Sequence, residues 1–251
     1  MTNGGRRPPP GLVPVEAVAA SIRHPPIPHP SSVIPHSPFP HPSSPMLLYT
    51  IADLGYLAGS DLEPAVSALL AGGADVVQLR AKDHPPSEIL DCARRVLPLC
   101  RMAGVPLIVN DHAGVARDAG AGGLHLGQDD GPLAAARAVV GEAALIGRST
   151  HSPAQAAAAR DEGFDYIGFG PLYPTPTKPG RPGIGLEDVR DVESSVGRSI
   201  PVFCIGGITP ANLPEILAAG ARRVVLVSAL LKANDIAQAT REVKDMLKAR
   251  R

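Results

Sequence analysis

Residues 201–227 read PVFCIGGITPANLPEILAAGARRVVLV. An apolar run, Pro201–Ile205, leads through two glycines to a helix-start signal at Thr209-Pro210. A helical stretch then ends on Gly220, and a second apolar run, Arg223–Val227, follows. Strands that are apolar on both faces and joined by a helix pair in parallel, with helices covering the sheet. The stretch therefore predicts one strand–helix–strand unit of an α/β fold.

The same unit recurs along most of the chain. We predict eight strands: Leu47–Ala52, Asp75–Arg80, Pro106–Asn110, Gly123–Leu126, Ala144–Arg148, Asp165–Gly168, Pro201–Ile205 and Arg223–Val227. Eight units in about 200 residues fit a single (β/α)8 TIM barrel. An open doubly wound sheet is the alternative, but Ala52-Asp-Leu-Gly-Tyr56 stands where its GxGxxG turn belongs. The fold class is therefore α/β, with the barrel over residues 46–251.

Cap signals mark several helix ends. Ser60-Asp-Leu-Glu63 has the spacing of a capping box. Ser152-Pro153 and Thr209-Pro210 each place a hydroxyl before a proline at the first helical position. Glycine ends other helices, as at Gly163, where it accepts the left-handed conformation that follows a last turn.

The first 45 residues have a different composition. They hold 13 of the chain's 28 prolines and are rich in His and Ser. Each proline lacks an N–H donor and restricts the residue before it, so neither a helix nor a central strand is expected. We predict that residues 1–45 form a disordered tail outside the barrel.

Charge and cysteine usage exclude several classes of function. The whole chain has a formal net charge of zero, and residues 46–251 carry −2. Neither nucleic acid nor membrane is expected as a partner, because there is no basic excess and no apolar run near 20 residues. Three scattered cysteines fit reduced core thiols and a cytoplasmic protein. The oligomeric state stays open, a homo-oligomer included.

In a TIM barrel, ligands bind at the carboxyl ends of the strands, and polar residues gather there in this sequence. Strand alternation points Gln78, Arg80 and Lys82 the same way. Other strand ends are followed by short polar stretches: Asn110-Asp111, Gln128-Asp129-Asp130, Ser149-Thr150-His151, Thr175 to Lys178, Gly206-Gly207 and Val227-Ser228. The sequence therefore predicts an active site at this rim.

Two anion sites and a metal site can be assigned within it. Gly206 and Gly207, with the amides of Val227-Ser228, suit a phosphate, because backbone N–H groups can close on its oxygens. Arg80, Lys82 and Lys178 suit a second, more highly charged phosphate group. The carboxylates of Asp111 and Asp130 suit Mg²⁺, which prefers one or two carboxylates plus phosphate oxygens.

Together these sites suggest a reaction that joins two phosphorylated compounds and releases diphosphate. Each residue taken singly has a plainer interpretation. The Gly-Gly pair is also a common tight turn, Asp111 a common helix cap and Arg80 one half of an ion pair. His125 fits a hydrogen-bonded core residue, and His151 fits either a cap or the site.

The residues from about Leu48 onward resemble thiamine-phosphate synthase. The motifs that carry the resemblance occur in order: QLRAK (78–82), VND (109–111), LHLGQDD (124–130), GPLYPTPTK (170–178), IGGI (205–208) and VSA (227–229). The resemblance implies a transferase of thiamine biosynthesis, with a phosphorylated pyrimidine and a phosphorylated thiazole as its small-molecule substrates. It also implies Mg²⁺ as the cofactor, held by Asp111 and Asp130.

The resemblance also implies roles for single residues. Gln78, Arg80, Lys82 and Asn110 would bind the pyrimidine diphosphate. Ser149 would contact the pyrimidine or its leaving diphosphate. Thr175 and Thr177 would face the thiazole, and Lys178 would steady negative charge. The thiazole phosphate would be held by Gly207, Val227 and Ser228. Arg80, Ser149 and Lys178 would be the catalytic residues.

One position departs from the family pattern. Ala81 stands where an acidic residue is usual, and alternation points it away from Arg80 and Lys82, so we expect diphosphate binding to be kept.

Two other functions stay open. A thiazole tautomerase would use the same barrel with His151 as proton shuttle, and a non-catalytic barrel would bind phosphorylated ligands without converting them.

Overall fold

In the computed structural model, which describes residues 1–2, 46–175 and 182–250, eight parallel strands form a closed barrel. In chain order the strands are β1 (Leu48–Asp53), β2 (Val76–Arg80), β3 (Leu107–Asn110), β4 (Gly123–Leu126), β5 (Leu145–Thr150), β6 (Tyr166–Phe169), β7 (Val202–Ile205) and β8 (Val224–Leu226). Each strand pairs with the next, and β1 closes the ring against β8. The predicted (β/α)8 barrel is confirmed.

Helices alternate with the strands and pack around them. They are α1 (Leu62–Ala71), α2 (Pro86–Met102), α3 (Ala113–Ala119), α4 (Leu133–Val140), α5 (Pro153–Glu162), α6 (Val189–Ser195), α7 (Leu213–Ala219), α8 (Ser228–Leu231) and α9 (Ile236–Ala249). Both α8 and α9 follow β8. Among the described residues, no helix combines the length and apolarity needed to cross a membrane.

The strand predictions are confirmed with ends that differ by one or two residues. Two differences affect the site: β1 continues to Asp53 and β5 continues to Thr150. Both extensions add polar residues, which a search for apolar runs stops short of. The predicted tail, residues 1–45, lies outside the described residues apart from its first two.

Of the predicted helix caps, the one at Ser152 is confirmed, because its side chain accepts a hydrogen bond from the Gln155 amide. The capping box at Ser60 is wrong. The N-cap of α1 is Asp61, without a side-chain cap bond, and Glu63 is instead paired with Arg95 of α2. An ion pair between two helices has displaced the local cap.

At Thr209-Pro210 the predicted capping hydroxyl is present, but α7 begins only at Leu213, beyond the predicted first helical position at Pro210. Thr209 and Asn212 bond reciprocally: the Asn212 Oδ1 accepts from the Thr209 amide at 2.7 Å, and the Thr209 Oγ1 accepts from the Asn212 amide at 3.3 Å. The Leu213 amide also donates to the Thr209 carbonyl at 3.0 Å, so Thr209 closes the turn that leads into α7.

The apolar side chains form two layers. A large outer core fills the space between the strands and the helices and includes Cys100 and Cys204, which are fully buried. Burial raises the pKa of the Cys100 thiol to about 12. The inner core lies inside the ring of strands and contains these eight side chains: Tyr49, Ile51, Val76, Ile108, Leu145, Tyr166, Phe203 and Val225. It closes the barrel below the site.

One residue of the barrel wall makes room for an aromatic ring. Gly147 of β5 is paired with Tyr166 of β6. A Cβ at position 147 would lie 2.1 Å from the Tyr166 Cζ, well inside van der Waals contact. The Tyr166 ring therefore occupies the place that any side chain at 147 would need.

Candidate active site

A cavity of about 240 Å³ lies at the carboxyl ends of the strands, above the inner core. Every strand, or the segment after it, contributes to its lining. The polar side chains among the lining residues are Tyr49, Gln78, Arg80, Asn110, His125, Ser149, Thr150, His151, Tyr166, Thr175, Thr209 and Ser228. The cavity thus joins an apolar floor to a polar rim.

A chain of hydrogen bonds crosses the floor. Gln78 Nε2 donates to the Tyr49 hydroxyl at 2.7 Å, and the hydroxyls of Tyr49 and Tyr166 lie 3.2 Å apart. His125 Nδ1 is 3.2 Å from the Tyr166 hydroxyl, and His125 Nε2 is 3.0 Å from Ser149 Oγ. Burial raises the pKa of both phenols, so both carry their protons at neutral pH.

Sequence reasoning missed both tyrosines. The signal was present, because Tyr49 alternates with Ile51 and Tyr166 with Gly168 along strands whose alternate residues face the barrel interior. Their partners are distant in sequence and come together only when the ring closes. His125 is hydrogen-bonded in the barrel, as the sequence suggested, and its ring also reaches the cavity.

On β2, Gln78 and Arg80 line the cavity as predicted, whereas Lys82 does not. Lys82 is exposed, two residues beyond the end of the strand. Strand pairing stops at Arg80, so the alternation that was extended to Lys82 no longer holds there. Ala81 is 4% exposed and packs in the outer core, on the side away from the cavity.

Arg80 is held by a residue that the sequence did not single out. Its Nη1 lies 2.6 Å from Asp53 Oδ2, and the two side chains are 13% and 2% exposed. The other carboxylate oxygen of Asp53 accepts a bond from the Gly55 amide at 2.9 Å. The ion pair that was an alternative for Arg80 is therefore present, and the arginine still lines the cavity. Asp53 fixes the position of Arg80 from the neighbouring strand.

Two exposed carboxylates follow β3 and β4, and neither of them lines the cavity. Asn110 lines the cavity, and the next residue, Asp111, is exposed. Asp111 has a φ of +63°, a conformation that costs energy for a non-glycine residue, and its amide donates to the His125 carbonyl at 2.9 Å. The cap of α3 falls at His112, so Asp111 is not that cap. Asp130, also exposed, accepts a bond from the Gly127 amide at 2.5 Å.

Asp111 and Asp130 give a donor set that suits Mg²⁺. Both are hard oxygen donors, they follow neighbouring strands, and their exposure leaves room for water and phosphate oxygens. Within the described parts of the chain, no group of three or more His, Cys, Asp or Glu side chains could hold a metal ion. Two carboxylates are the number that Mg²⁺ takes when a substrate phosphate supplies further ligands.

Because β5 extends to Thr150, Ser149 and Thr150 are strand residues with fixed directions. Ser149 Oγ faces the cavity beside His125. Thr150 donates its hydroxyl proton to the Gly168 carbonyl at 3.0 Å. His151 lines the cavity, and its Nδ1 is hydrogen-bonded to the carbonyl of Gly170. The cap of α5 is Ser152, so of the two interpretations of His151 the structure favours the site.

The segment after β6 is described up to Thr175, which lines the cavity. The predicted site residues Thr177 and Lys178 lie outside the described residues, which end at 175 and resume at 182.

The proposed phosphate cradle comes together at the ends of β7 and β8. Gly206, Gly207, Val227 and Ser228 all line the cavity. The φ angles of Gly206 and Gly207 are +103° and +64°, which L side chains rarely adopt. A Cβ on Gly207 would also lie 2.6 Å from the Cβ of Tyr173. The two glycines are therefore required by the turn, and their backbone forms one wall of the cavity.

The structure is a closed (β/α)8 barrel with a cavity at the carboxyl ends of its strands, and most of the strands supply polar groups to that cavity. This is the arrangement of TIM-barrel enzymes. A family model described as thiamine monophosphate synthase matches residues 48–230. The chain belongs to the thiamine monophosphate synthase family.

Individual relatives agree with this assignment. The thiamine-phosphate synthase of Streptomyces avermitilis is 49% identical over 189 residues, which cover 75% of this chain and 87% of that protein. The protein of the same name from Mycobacterium sp. (strain KMS) is 48% identical over 199 residues, covering 76% and 88%. Among solved structures, thiamine phosphate pyrophosphorylase from Pyrococcus furiosus aligns with a TM-score of 0.73 at 32% identity, over 81% of this chain and 96% of that one.

Proposed function

We propose that this chain couples 4-amino-2-methyl-5-(diphosphooxymethyl)pyrimidine to 4-methyl-5-(2-phosphoethyl)thiazole, giving thiamine phosphate and diphosphate. One observation carries the proposal beyond the family match. A single cavity is lined by Gln78, Arg80 and Asn110 from β2 and β3, and by the glycine turn after β7 and the end of β8. In the ring of eight strands β3 lies opposite β7, so the two candidate anion sites face each other.

The diphosphate end of the pyrimidine substrate is assigned to the β2–β3 side. Arg80 presents a guanidinium to the cavity, and Asp53 fixes its direction. Asn110 adds an amide, and Lys82, exposed just beyond β2, would add a second cation. Asp111 and Asp130 would hold Mg²⁺ next to the diphosphate. When bound, Mg²⁺ would neutralise charge on the diphosphate and make it a better leaving group.

The thiazole phosphate is assigned to the opposite side. Backbone N–H groups at Gly207, Val227 and Ser228 suit a phosphate monoester, as does the Ser228 hydroxyl. Thr175 lines the cavity and would contact the thiazole ring. Thr177 and Lys178 belong to the same proposal, with the ammonium of Lys178 stabilising charge on the departing diphosphate.

The chemistry that this arrangement suits is ionisation followed by capture. The bond from the pyrimidinylmethyl carbon to the diphosphate oxygen breaks, and its electron pair leaves with the oxygen. The thiazole nitrogen then donates its lone pair to that carbon, which forms the new C–N bond. No protein nucleophile or base is needed for either step. Arg80, Ser149 and Lys178 are proposed to bind the leaving group or the pyrimidine as charge develops.

The cavity floor would protect the reactive cation. Ile51, Phe203 and Val225 are nearly fully buried there, and the Phe203 ring packs edge-on against Tyr49 and Tyr166. Apolar walls exclude the water that would otherwise capture the pyrimidinylmethyl carbon.

We also propose a cytoplasmic location, supported by three buried cysteines that form no disulfide.

One assay separates the three candidate functions. Purified full-length protein is incubated with Mg²⁺ and both phosphorylated substrates, and thiamine phosphate, diphosphate and the thiazole isomers are quantified. Thiamine phosphate and diphosphate in equal amounts are expected. Isomerised thiazole alone would support a tautomerase, and bound but unchanged substrates would support a non-catalytic barrel. Either result would contradict the synthase.

A matched pair of variants tests the site. Lys178→Ala removes a proposed catalytic cation and should lower kcat by about two orders of magnitude or more. Lys248→Ala removes a lysine from the last turn of α9, where it pairs with its helix neighbour Asp245, and should leave kcat unchanged. Near-normal turnover in Lys178→Ala would refute the assignment of that residue.

A further inference from the structure

The hydrogen bonds across the cavity floor have a direction. The amide nitrogen of Gln78 can only donate, so the Tyr49 hydroxyl accepts from it. Tyr49 keeps its own proton, because burial raises the pKa of its phenol. That proton needs an acceptor inside the barrel, where the Tyr49 side chain is 2% exposed.

Within the part of the chain that the structure describes, one acceptor is available for this proton. Among the described residues, the Tyr49 hydroxyl has Gln78 and Tyr166 as its hydrogen-bond partners. Gln78 is already the donor, so Tyr49 must donate to Tyr166. The opposite direction would have Tyr49 accept from both neighbours and leave its own O–H buried without a partner, which is costly.

The direction passes along the chain to the imidazole. Tyr166 accepts from Tyr49 and, being 4% exposed, donates its own proton to His125 Nδ1. A neutral imidazole that accepts at Nδ1 carries its proton on Nε2. That Nε2–H then donates to Ser149 Oγ at 3.0 Å. Ser149, having accepted from His125, is left with its own proton to donate, and its Oγ lines the cavity.

We propose that the Gln78–Tyr49–Tyr166–His125 chain is a positioning relay that fixes His125 as the Nε2–H tautomer and thereby makes Ser149 a hydrogen-bond donor to the substrate. The group that Ser149 contacts is then an acceptor, such as an oxygen of the departing diphosphate or a ring nitrogen. The tautomer is a property of the unliganded protein, and only the effect on catalysis rests on the proposed function.

The tautomer is measured directly by NMR on full-length protein labelled with ¹⁵N-histidine. The chain has eight histidines, so the signal of His125 is identified by its loss in the His125→Gln variant. We expect a pyridine-type Nδ1 and a pyrrole-type, protonated Nε2 in the unmodified protein. A proton on Nδ1, or an even mixture of tautomers, would overturn the relay.

A tyrosine-to-phenylalanine pair supplies the control. Tyr166→Phe removes the donor to Nδ1 and should shift the His125 signals toward those of a mixture. Tyr173→Phe removes a hydroxyl that donates to Glu215 and is not part of the relay, so the same signals should stay in place. Unchanged His125 signals in Tyr166→Phe would contradict the proposal.

A double-mutant cycle tests the consequence for catalysis. If Tyr166 acts through Ser149, Tyr166→Phe should lower kcat about tenfold in the parent but less than about twofold in a Ser149→Ala background. Independent, multiplicative losses would show that Tyr166 does not position Ser149. Absence of synthase activity in the parent would instead contradict the proposed function, leaving the tautomer result as it stands.

Discussion

Substituting Asp53 by Asn should destabilise the protein strongly. The sequence did not single out Asp53; its importance follows from its ion pair with Arg80. The change keeps the shape of the side chain and the oxygen that accepts from the Gly55 amide. It replaces the carboxylate oxygen that lies 2.6 Å from Arg80 Nη1 with an NH₂ group, which cannot accept a hydrogen bond. A guanidinium that is 13% exposed is then left without its counterion.

The expected size follows from this geometry. Removing one partner of a buried ion pair costs about 3–5 kcal/mol, because the remaining charge stays desolvated. Arg80 faces a cavity that water can enter, so we expect the lower end, about 3 kcal/mol. For a domain of this size, 1 kcal/mol shifts Tm by about 2–4 °C, so Tm should fall by about 6–12 °C.

Thermal unfolding followed by circular dichroism measures the shift, with Glu63→Gln as the matched control. Glu63 is also paired with an arginine, Arg95, but that pair is solvent-exposed, and its loss should leave Tm almost unchanged. Inorganic diphosphate should raise the Tm of Asp53→Asn more than that of the parent, because it supplies the missing negative charge. A Tm within about 2 °C of the parent would refute the view that the pair is buried and essential.

Four other predictions concern the site and the barrel. Asp111→Ala should lower kcat by about 100-fold or more if this carboxylate holds Mg²⁺, and near-normal turnover in steady-state assays would contradict the metal site. Gly207→Ala places a Cβ 2.6 Å from that of Tyr173 at a φ of +64°, and should raise KM for the thiazole phosphate about tenfold with little change for the pyrimidine. Ala81→Glu buries a carboxylate in the outer core and should lower the free energy of unfolding by about 3 kcal/mol, as measured by urea titration. A sharply improved affinity for the diphosphate substrate would show instead that an acidic residue at this position serves binding. Deletion of residues 1–45 should leave kcat/KM unchanged, and a large loss would show that the segment takes part in the reaction.

The sequence predicted the barrel well because its strands are covered on both faces. Such strands are apolar throughout, so each appears as a short apolar run. The runs did not show where polar residues continue a strand, which is why the ends of β1 and β5 were placed too early. The capping box at Ser60 failed because Glu63 pairs with Arg95 of the next helix, a contact that no local pattern shows.

The rim of the site was predictable and its floor was not. Gln78, Arg80, Asn110 and Ser149 follow from the rule that ligands bind at the carboxyl ends of barrel strands. The partners beneath them are set by closure of the ring. The hydroxyls of Tyr49 and Tyr166 are 117 positions apart in the chain, and no local pattern pairs them. Alternation assigns a residue to the interior but does not identify what it meets there.

The contact between Gly147 and Tyr166 has a consequence for how the family can vary. Since a Cβ at 147 would fall 2.1 Å from the ring, any relative with a larger residue at this place must have given up the large ring at the place of Tyr166, or moved it. A larger residue at 147 therefore requires a change or a displacement at 166. A lineage that exchanged this glycine and gave up the ring would lose the link between Tyr49 and His125, and would have to orient its counterpart of Ser149 by other means.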